Sequence, residues 1–302
     1  MTRNTITPKT NSFPWYGWLG IASMIATEIL LLSGSKFVAT WMTPLMWTGY
    51  ALTLDAIIFK RKGRSWFKNR MREVPFLLLI SVSVWILFEI YNFHLKNWQY
   101  LGMPSDMLIR DIGFFWSFAT IMPGVFLTVE LLDAFWGKPV LKVRNTTSHL
   151  KKNDWSWIFL GLMMVAVPLL LREEISSYLF ALIWLGYIPL LDPINKRIGA
   201  PTVSHLWKKP NRRLIFILLA AGFTCGLLWE TWNFQAYQAQ GAFWVYTIPQ
   251  PLRIFGLHFG KMPVLGLLGF PPFAIELYLF YQFFRKCCGG DRIFGSSSGM
   301  VI

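Results

Sequence analysis

Charge is scarce in this chain. Of its 302 residues only 15% are Asp, Glu, Lys or Arg, against roughly 25% in ordinary soluble domains. That shortage excludes a water-soluble globular domain, which needs more polar surface. Acids are the rarer sign, 15 against 29 Lys and Arg, for a net charge of +14. Cysteine is nearly missing as well. Cys225, Cys287 and Cys288 are too few for a disulfide framework and show no metal-ligand spacing with the four histidines. No metal site and no cofactor is therefore assigned. The chain also lacks a phosphate-binding glycine loop, an Asp-rich diphosphate motif and a small-residue cleavage site after its first apolar run. That run reads as a retained helix.

Apolar residues are what the chain does have: 54% are hydrophobic and 17% aromatic. Several runs approach the ~20 residues that carry a helix across a bilayer. They are continuous rather than alternating, which disfavours a β-barrel. The fold class is all-α, a polytopic integral membrane protein. The runs place eight transmembrane helices at 15–34, 38–59, 75–93, 112–135, 155–171, 175–195, 213–234 and 262–284.

Basic residues sort between the two sides of this arrangement. The N-terminal tail, the loops after the second, fourth and sixth spans, and the C-terminal tail hold 23 of the 29 Lys and Arg. The other side receives Lys36, Lys96, Arg110, Arg172, Arg253 and Lys261. The excess marks the cytoplasmic face, so both termini are expected in the cytoplasm, as in a bacterial inner membrane. Loop placement also accounts for the positive charge without nucleic acid. The partner is the lipid bilayer. The Asn145-Thr-Thr sequon falls in a cytoplasmic loop and carries no glycan on this reading.

The chain reads as two halves. Trp47-Thr-Gly-Tyr50 precedes Asp55, and Trp184-Leu-Gly-Tyr187 precedes Asp192 at the same distance. Each is followed by a basic loop and an apolar helix ending in Glu-x-x-Asn-Phe, with Glu89 and Asn92 in one half and Glu230 and Asn233 in the other. Trp98-x-Tyr100 then matches Trp244-x-Tyr246, and Glu130 matches Glu276 in the fourth helix. Four spans per half insert both halves the same way up, as parallel repeats. The organisation is a tail (1–14), a first repeat (15–137), a basic linker (138–154), a second repeat (155–285) and a tail (286–302).

Carboxylates inside apolar helices are expensive and mark candidate sites. On a helix, positions i and i+3 share a face, which puts Glu89 beside Asn92 and Glu230 beside Asn233. Burial favours the neutral carboxyl, and a neutral glutamate can act as a general acid. The candidate catalytic set is Glu230, Asn233 and Glu276, with Glu89, Asn92 and Glu130 as counterparts. Secondary candidates are Asp55, Asp192, Arg110 and Arg253. Structural readings compete: Asp55 with Lys60, Asp192 with Arg197, and Glu89 and Glu230 with Arg110 and Arg253. Glu130 and Glu276 have no base near them in sequence. The proline-rich segment around Gly266, Gly269, Pro271 and Pro272 predicts an interrupted helix beside Glu276.

In the second half, Trp229-Glu-Thr-Trp-Asn-Phe234, then Ile248-Pro249, then Pro272-Phe-Ala-Ile-Glu276 followed by aromatics resemble the membrane lycopene cyclase domain. Where that family carries paired glutamates, this chain has Glu276 alone. The resemblance implies a lipid or isoprenoid substrate and acid-triggered cyclisation, with Glu276 or Glu230 as proton donor and aromatic faces stabilising a cation. The residues also fit two other classes: a proton-coupled transporter or channel, and a structural membrane-assembly protein whose acids fasten helices.

Overall fold

A computed structural model describes residues 11–136, 149–207 and 211–294. Residues 138–148 of the basic linker with the Asn145 sequon, and residues 1–10 and 295–302 of the tails, lie outside these residues. Among the described residues the longer helices are α1 (Trp15–Leu32), α2 (Lys36–Lys62), α3 (Val74–Leu95), α4 (Met107–Ala119), α5 (Ile121–Trp136), α6 (Lys152–Leu170), α7 (Phe180–Ile198), α8 (Arg212–Gln238) and α9 (Phe270–Cys287). Two small antiparallel ribbons join β1 (Trp98–Leu101) to β2 (Phe243–Tyr246), and β3 (His258–Phe259) to β4 (Met262–Pro263).

Among the described residues six helical segments are long and apolar enough to cross a membrane: Trp15–Leu32, Met71–Leu95, Met107–Trp136, Lys152–Leu170, Arg212–Gln238 and Val264–Cys287. The expected spans at 38–59 and 175–195 form α2 and α7, which fall outside that set. The reason is composition: α2 holds Asp55 and ends in Lys60-Arg61-Lys62, and α7 holds Pro189, Asp192 and Pro193. The second of these helices also begins later than expected, at Phe180, after a separate turn at Glu173–Ser176. The outer face of the bundle is strongly apolar, with Trp15, Trp18, Phe37, Phe93 and Leu170 largely exposed. Exposed apolar surface on this scale marks contact with something other than water, here lipid.

Local signals set the helix ends. Ser35 caps α2 by accepting from Val38 N, and Gly63 closes it in the left-handed conformation at φ 71°. Asp106 caps α4 through Ile109 N, which starts that helix five residues before the apolar run at 112.

Helix crossings explain the shared Trp-x-Gly-Tyr sequence. A Cβ on Gly49 would lie 2.6 Å from Met24 of α1, and one on Gly186 would lie 2.8 Å from Val165 of α6. At both crossings the missing side chain lets two helices approach, the small-residue packing of membrane bundles. The flanking Trp47 and Trp184 enter the core, where Trp47 meets Trp229 and Trp232, and Trp184 meets Phe88 and Phe273.

Candidate functional site

The loops at one end of the bundle meet at β1 and β2. Trp98 pairs with Tyr246, Gln99 with Val245, and Tyr100 with Trp244. The two Trp-x-Tyr elements therefore face each other in opposite directions, centred on Gln99 and Val245. Below them lies a cavity of about 370 Å³, within the range of small-molecule sites. Six tryptophans line it: Trp41, Trp85, Trp98, Trp184, Trp229 and Trp244. Tyr100, Tyr246 and Arg110 also contribute to the wall, and among the described residues no Asp or Glu does.

The asparagines of the Glu-x-x-Asn elements hold the ribbon. Asn92 Oδ1 accepts from Asn97 N at 2.9 Å and Trp98 N at 3.1 Å, and its Nδ2 donates to Trp98 O at 2.8 Å. Asn233 repeats this on Trp244, accepting from its N at 2.9 Å and donating to its O at 3.1 Å. A buried asparagine that satisfies both edges of a strand residue removes two otherwise unpaired backbone groups.

The glutamates stand behind the cavity wall. Glu89 Oε1 accepts from Tyr100 Oη at 2.5 Å, Trp85 Nε1 at 2.8 Å and Trp98 Nε1 at 3.1 Å. Glu230 is fully buried and accepts from Tyr246 Oη at 3.2 Å, Asn233 Nδ2 at 3.2 Å and the Lys261 backbone N–H. Gly260 makes the last contact feasible. Its φ is 59°, and a Cβ there would sit 2.6 Å from Glu230 Oε1. Burial, then the facing glutamate, pushes both the Tyr100 and Tyr246 hydroxyls well above the usual tyrosine range. They stay neutral O–H groups, suited to relaying a proton rather than taking one as a base.

Arg110 and Arg253 do not reach these acids. Arg110 meets Asp111 at 3.5 Å, and Arg253 donates to Ile248 O at 3.2 Å and Tyr246 O at 3.5 Å. Neutral donors suffice where the expectation was a cation: a tyrosine hydroxyl and two indole N–H groups serve Glu89, and a tyrosine hydroxyl, the Asn233 amide and a backbone N–H serve Glu230. Asp55 likewise meets Tyr16 Oη and Ser65 Oγ, both at 2.7 Å, and Phe67 N at 3.1 Å rather than Lys60. Asp192 accepts from Val203 N at 2.5 Å and Ser204 N at 3.3 Å rather than Arg197. Both aspartates pin the short turn that follows their helix.

Glu130 and Glu276 part company. Glu130 pairs with Lys62 at 2.8 Å, and the same lysine bridges to Asp133 at 2.8 Å, itself held by Arg213. The cation is 68 residues away along the chain, so proximity in sequence conceals it. Glu276 is fully buried, accepts Tyr187 N at 3.1 Å on Oε1, and finds no partner for Oε2 among the described residues. The interruption expected beside it exists: a short turn at Val264–Leu267 ends before α9 starts at Phe270. Nearby, Tyr187 Oη and Tyr91 Oη lie 3.0 Å apart.

Several members of these clusters carry little signal in the sequence. Glu73, buried with Arg70 at 2.9 Å, Arg285 at 2.7 Å and Tyr281, was hidden among the basic residues of its loop. Its spacing of three from Arg70 was the available signal. Tyr100 and Tyr246 were signalled by the duplicated Trp-x-Tyr pattern.

No known protein family matches the chain. No curated protein matches it either. No solved structure matches it.

Proposed function

We propose that this chain is a membrane-embedded enzyme that protonates an isoprenoid or related unsaturated lipid, driving its isomerisation or cyclisation. The bundle on this reading comprises eight spans in two like-oriented four-helix repeats. Its termini and basic loops face the cytoplasm and the ribbon faces outward. One observation carries the reading: Tyr100 and Tyr246 line the aromatic cavity while their hydroxyls rest on Glu89 and Glu230. A protonated glutamate hands its proton to the tyrosine oxygen as the tyrosine O–H protonates a substrate double bond. Tryptophan faces stabilise the resulting cation. Loss of a proton from a neighbouring carbon, back through tyrosine to glutamate, forms the product double bond and restores the acid. The resemblance of the second half to the membrane lycopene cyclase domain supports the choice of an isoprenoid.

An ion or proton carrier is less well served, since no acidic side chain lines the cavity among the described residues. The test compares lipid extracts of cells expressing wild type, Glu230→Gln and Glu89→Gln by mass spectrometry. A lipid species formed by wild type and lost in the variants is the expected result. Identical extracts from wild type and an empty host would overturn the reading.

A further inference from the structure

Among the described residues, Arg110 alone brings a formal charge to the cavity wall. Residues 110, 113, 114 and 117 of α4 all line the cavity. They form one helix face, so Arg110 shares its side with Gly113, Phe114 and Ser117. Its side chain remains accessible, at 37% relative exposure. Two acids lie near it in sequence, and neither neutralises it. Asp111 Oδ1 stands 3.5 Å from Arg110 Nε, on a side chain itself 61% exposed, and a surface pair of that kind contributes little. Asp106 accepts from Ile109 N. Glu89 and Glu230, behind the wall, are held by the donors described above. The two terminal nitrogens of Arg110 have no partner among the described residues.

Met107, Leu108 and Ile109, the turn before Arg110, are exposed and apolar. The guanidinium therefore sits where an apolar cavity reaches an apolar surface, a costly place for a charge without a counter-ion. Its planar pair of terminal N–H groups matches a carboxylate or phosphate. The neutral polar side chains of the wall are Thr, Ser, Tyr, Trp and Asn97. Each carries a donor, so none repels an anion. Thr43 Oγ1, Asn97 Oδ1 and Trp184 Nε1 lack partners but are buried, and they do not choose the ligand. An ammonium head would be repelled, and an uncharged head would leave the arginine uncompensated.

We infer that the ligand of this cavity is an amphipath with an oxyanion head, a carboxylate or a phosphate, held by Arg110 with its apolar tail among the tryptophans. This rests on the cavity being a lipid site, as proposed above, and adds the headgroup.

The test uses the full chain in phosphatidylcholine nanodiscs and three tritiated probes with one tail: farnesyl phosphate, farnesoic acid and farnesol. Retained label is read after subtraction of empty nanodiscs. Wild type is expected to bind at least one anionic probe about tenfold or more tightly than farnesol, the scale of hydrogen bonds to a charged group. Arg110→Met should bring that ratio towards one with farnesol binding kept. Arg110→Lys keeps the charge without the fork and should fall between, so it reads the guanidinium even if Arg110→Met disturbs α4. Arg172→Met removes an exposed cation that is not on the wall and should leave the ratio unchanged. An equal loss there would reduce the preference to surface charge and overturn the proposal. Equal binding of all three probes to wild type would overturn the anionic head while leaving an apolar site. Binding of none would overturn the lipid site itself. A preference that survives both Arg110 substitutions would overturn the assignment to this residue. Inorganic phosphate that displaces farnesyl phosphate at equal concentration would overturn the amphipath and leave a bare anion site.

Discussion

Lys62 Nζ lies 2.8 Å from Glu130 Oε2, whereas Glu276 of α9 meets no cation among the described residues. Two carboxyls alike in sequence thus live under different electrostatics. Removing one member of a buried ion pair costs about 3–5 kcal/mol. Lys62→Met should destabilise the protein by that order, and Lys62→Met combined with Glu130→Gln by less than the single change. Glu276→Gln, which keeps an acceptor for Tyr187 N and removes a carboxyl with an unpaired oxygen, should leave stability unchanged or raised. Thermal unfolding in detergent, followed by tryptophan fluorescence, checks these three together with Glu130→Gln alone. Additive costs for Lys62 and Glu130 would refute the pairing.

Tyr246→Phe and Tyr100→Phe keep the cavity wall and delete the hydroxyl between it and each glutamate. General-acid contributions are typically about 10²–10⁴-fold, so product formation should fall by at least about 10²-fold. Substrate binding should change far less. Equal losses in binding and turnover would mean that the hydroxyls position the ligand and do not relay protons.

Both hydroxyls also predict a pH profile. Folded-state ionisation is pushed above the ordinary range near 10, first by burial and then by the adjacent glutamates. The neutral form therefore persists as pH rises through that range. Tyrosinate absorbance of the native protein should lack the contribution of these two residues there, and should gain it on unfolding. A native titration equal to the unfolded one would contradict their burial.

Gly260→Ala places a methyl group 2.6 Å from Glu230 Oε1 at a backbone φ of 59°. Strain at such positions is about 1–3 kcal/mol, and it falls on the β3–β4 ribbon. Hydrogen exchange should accelerate at residues 258–263 while the helices keep their protection. Unaltered exchange in that segment would show that Glu230 does not depend on the close approach.

Cys287 and Cys288 are exposed, and Cys225 is buried. With the basic end of the bundle in the cytoplasm, a membrane-impermeant maleimide should label two thiols in inverted vesicles and none in right-side-out ones. Labelling from the opposite side would reverse the proposed orientation.

Individual residues show how far sequence reached. The apolar runs revealed the helices because length and composition act locally. The spacing of Glu230 and Asn233 rightly put them side by side. What Asn233 does with that position, clasping Trp244 eleven residues on, depends on how a loop folds back and leaves no local trace. Charge partners were the least legible. In the sequence Lys62 is one loop base among many, and its pairing across 68 residues follows from helix packing alone. The six-tryptophan cavity was similarly concealed, because interfacial belts draw on the same residue type.

The ribbon centred on Gln99 and Val245 has a bearing on ancestry. Under the two-unit reading, each Trp-x-Tyr edge pairs with its own equivalent and not with a different sequence. One unit alone would present that edge to a second copy of itself, and the cavity below would close between two identical chains. Joining them end to end would then require no invented interface, and only after fusion could one acid acquire Lys62 while the other stayed bare.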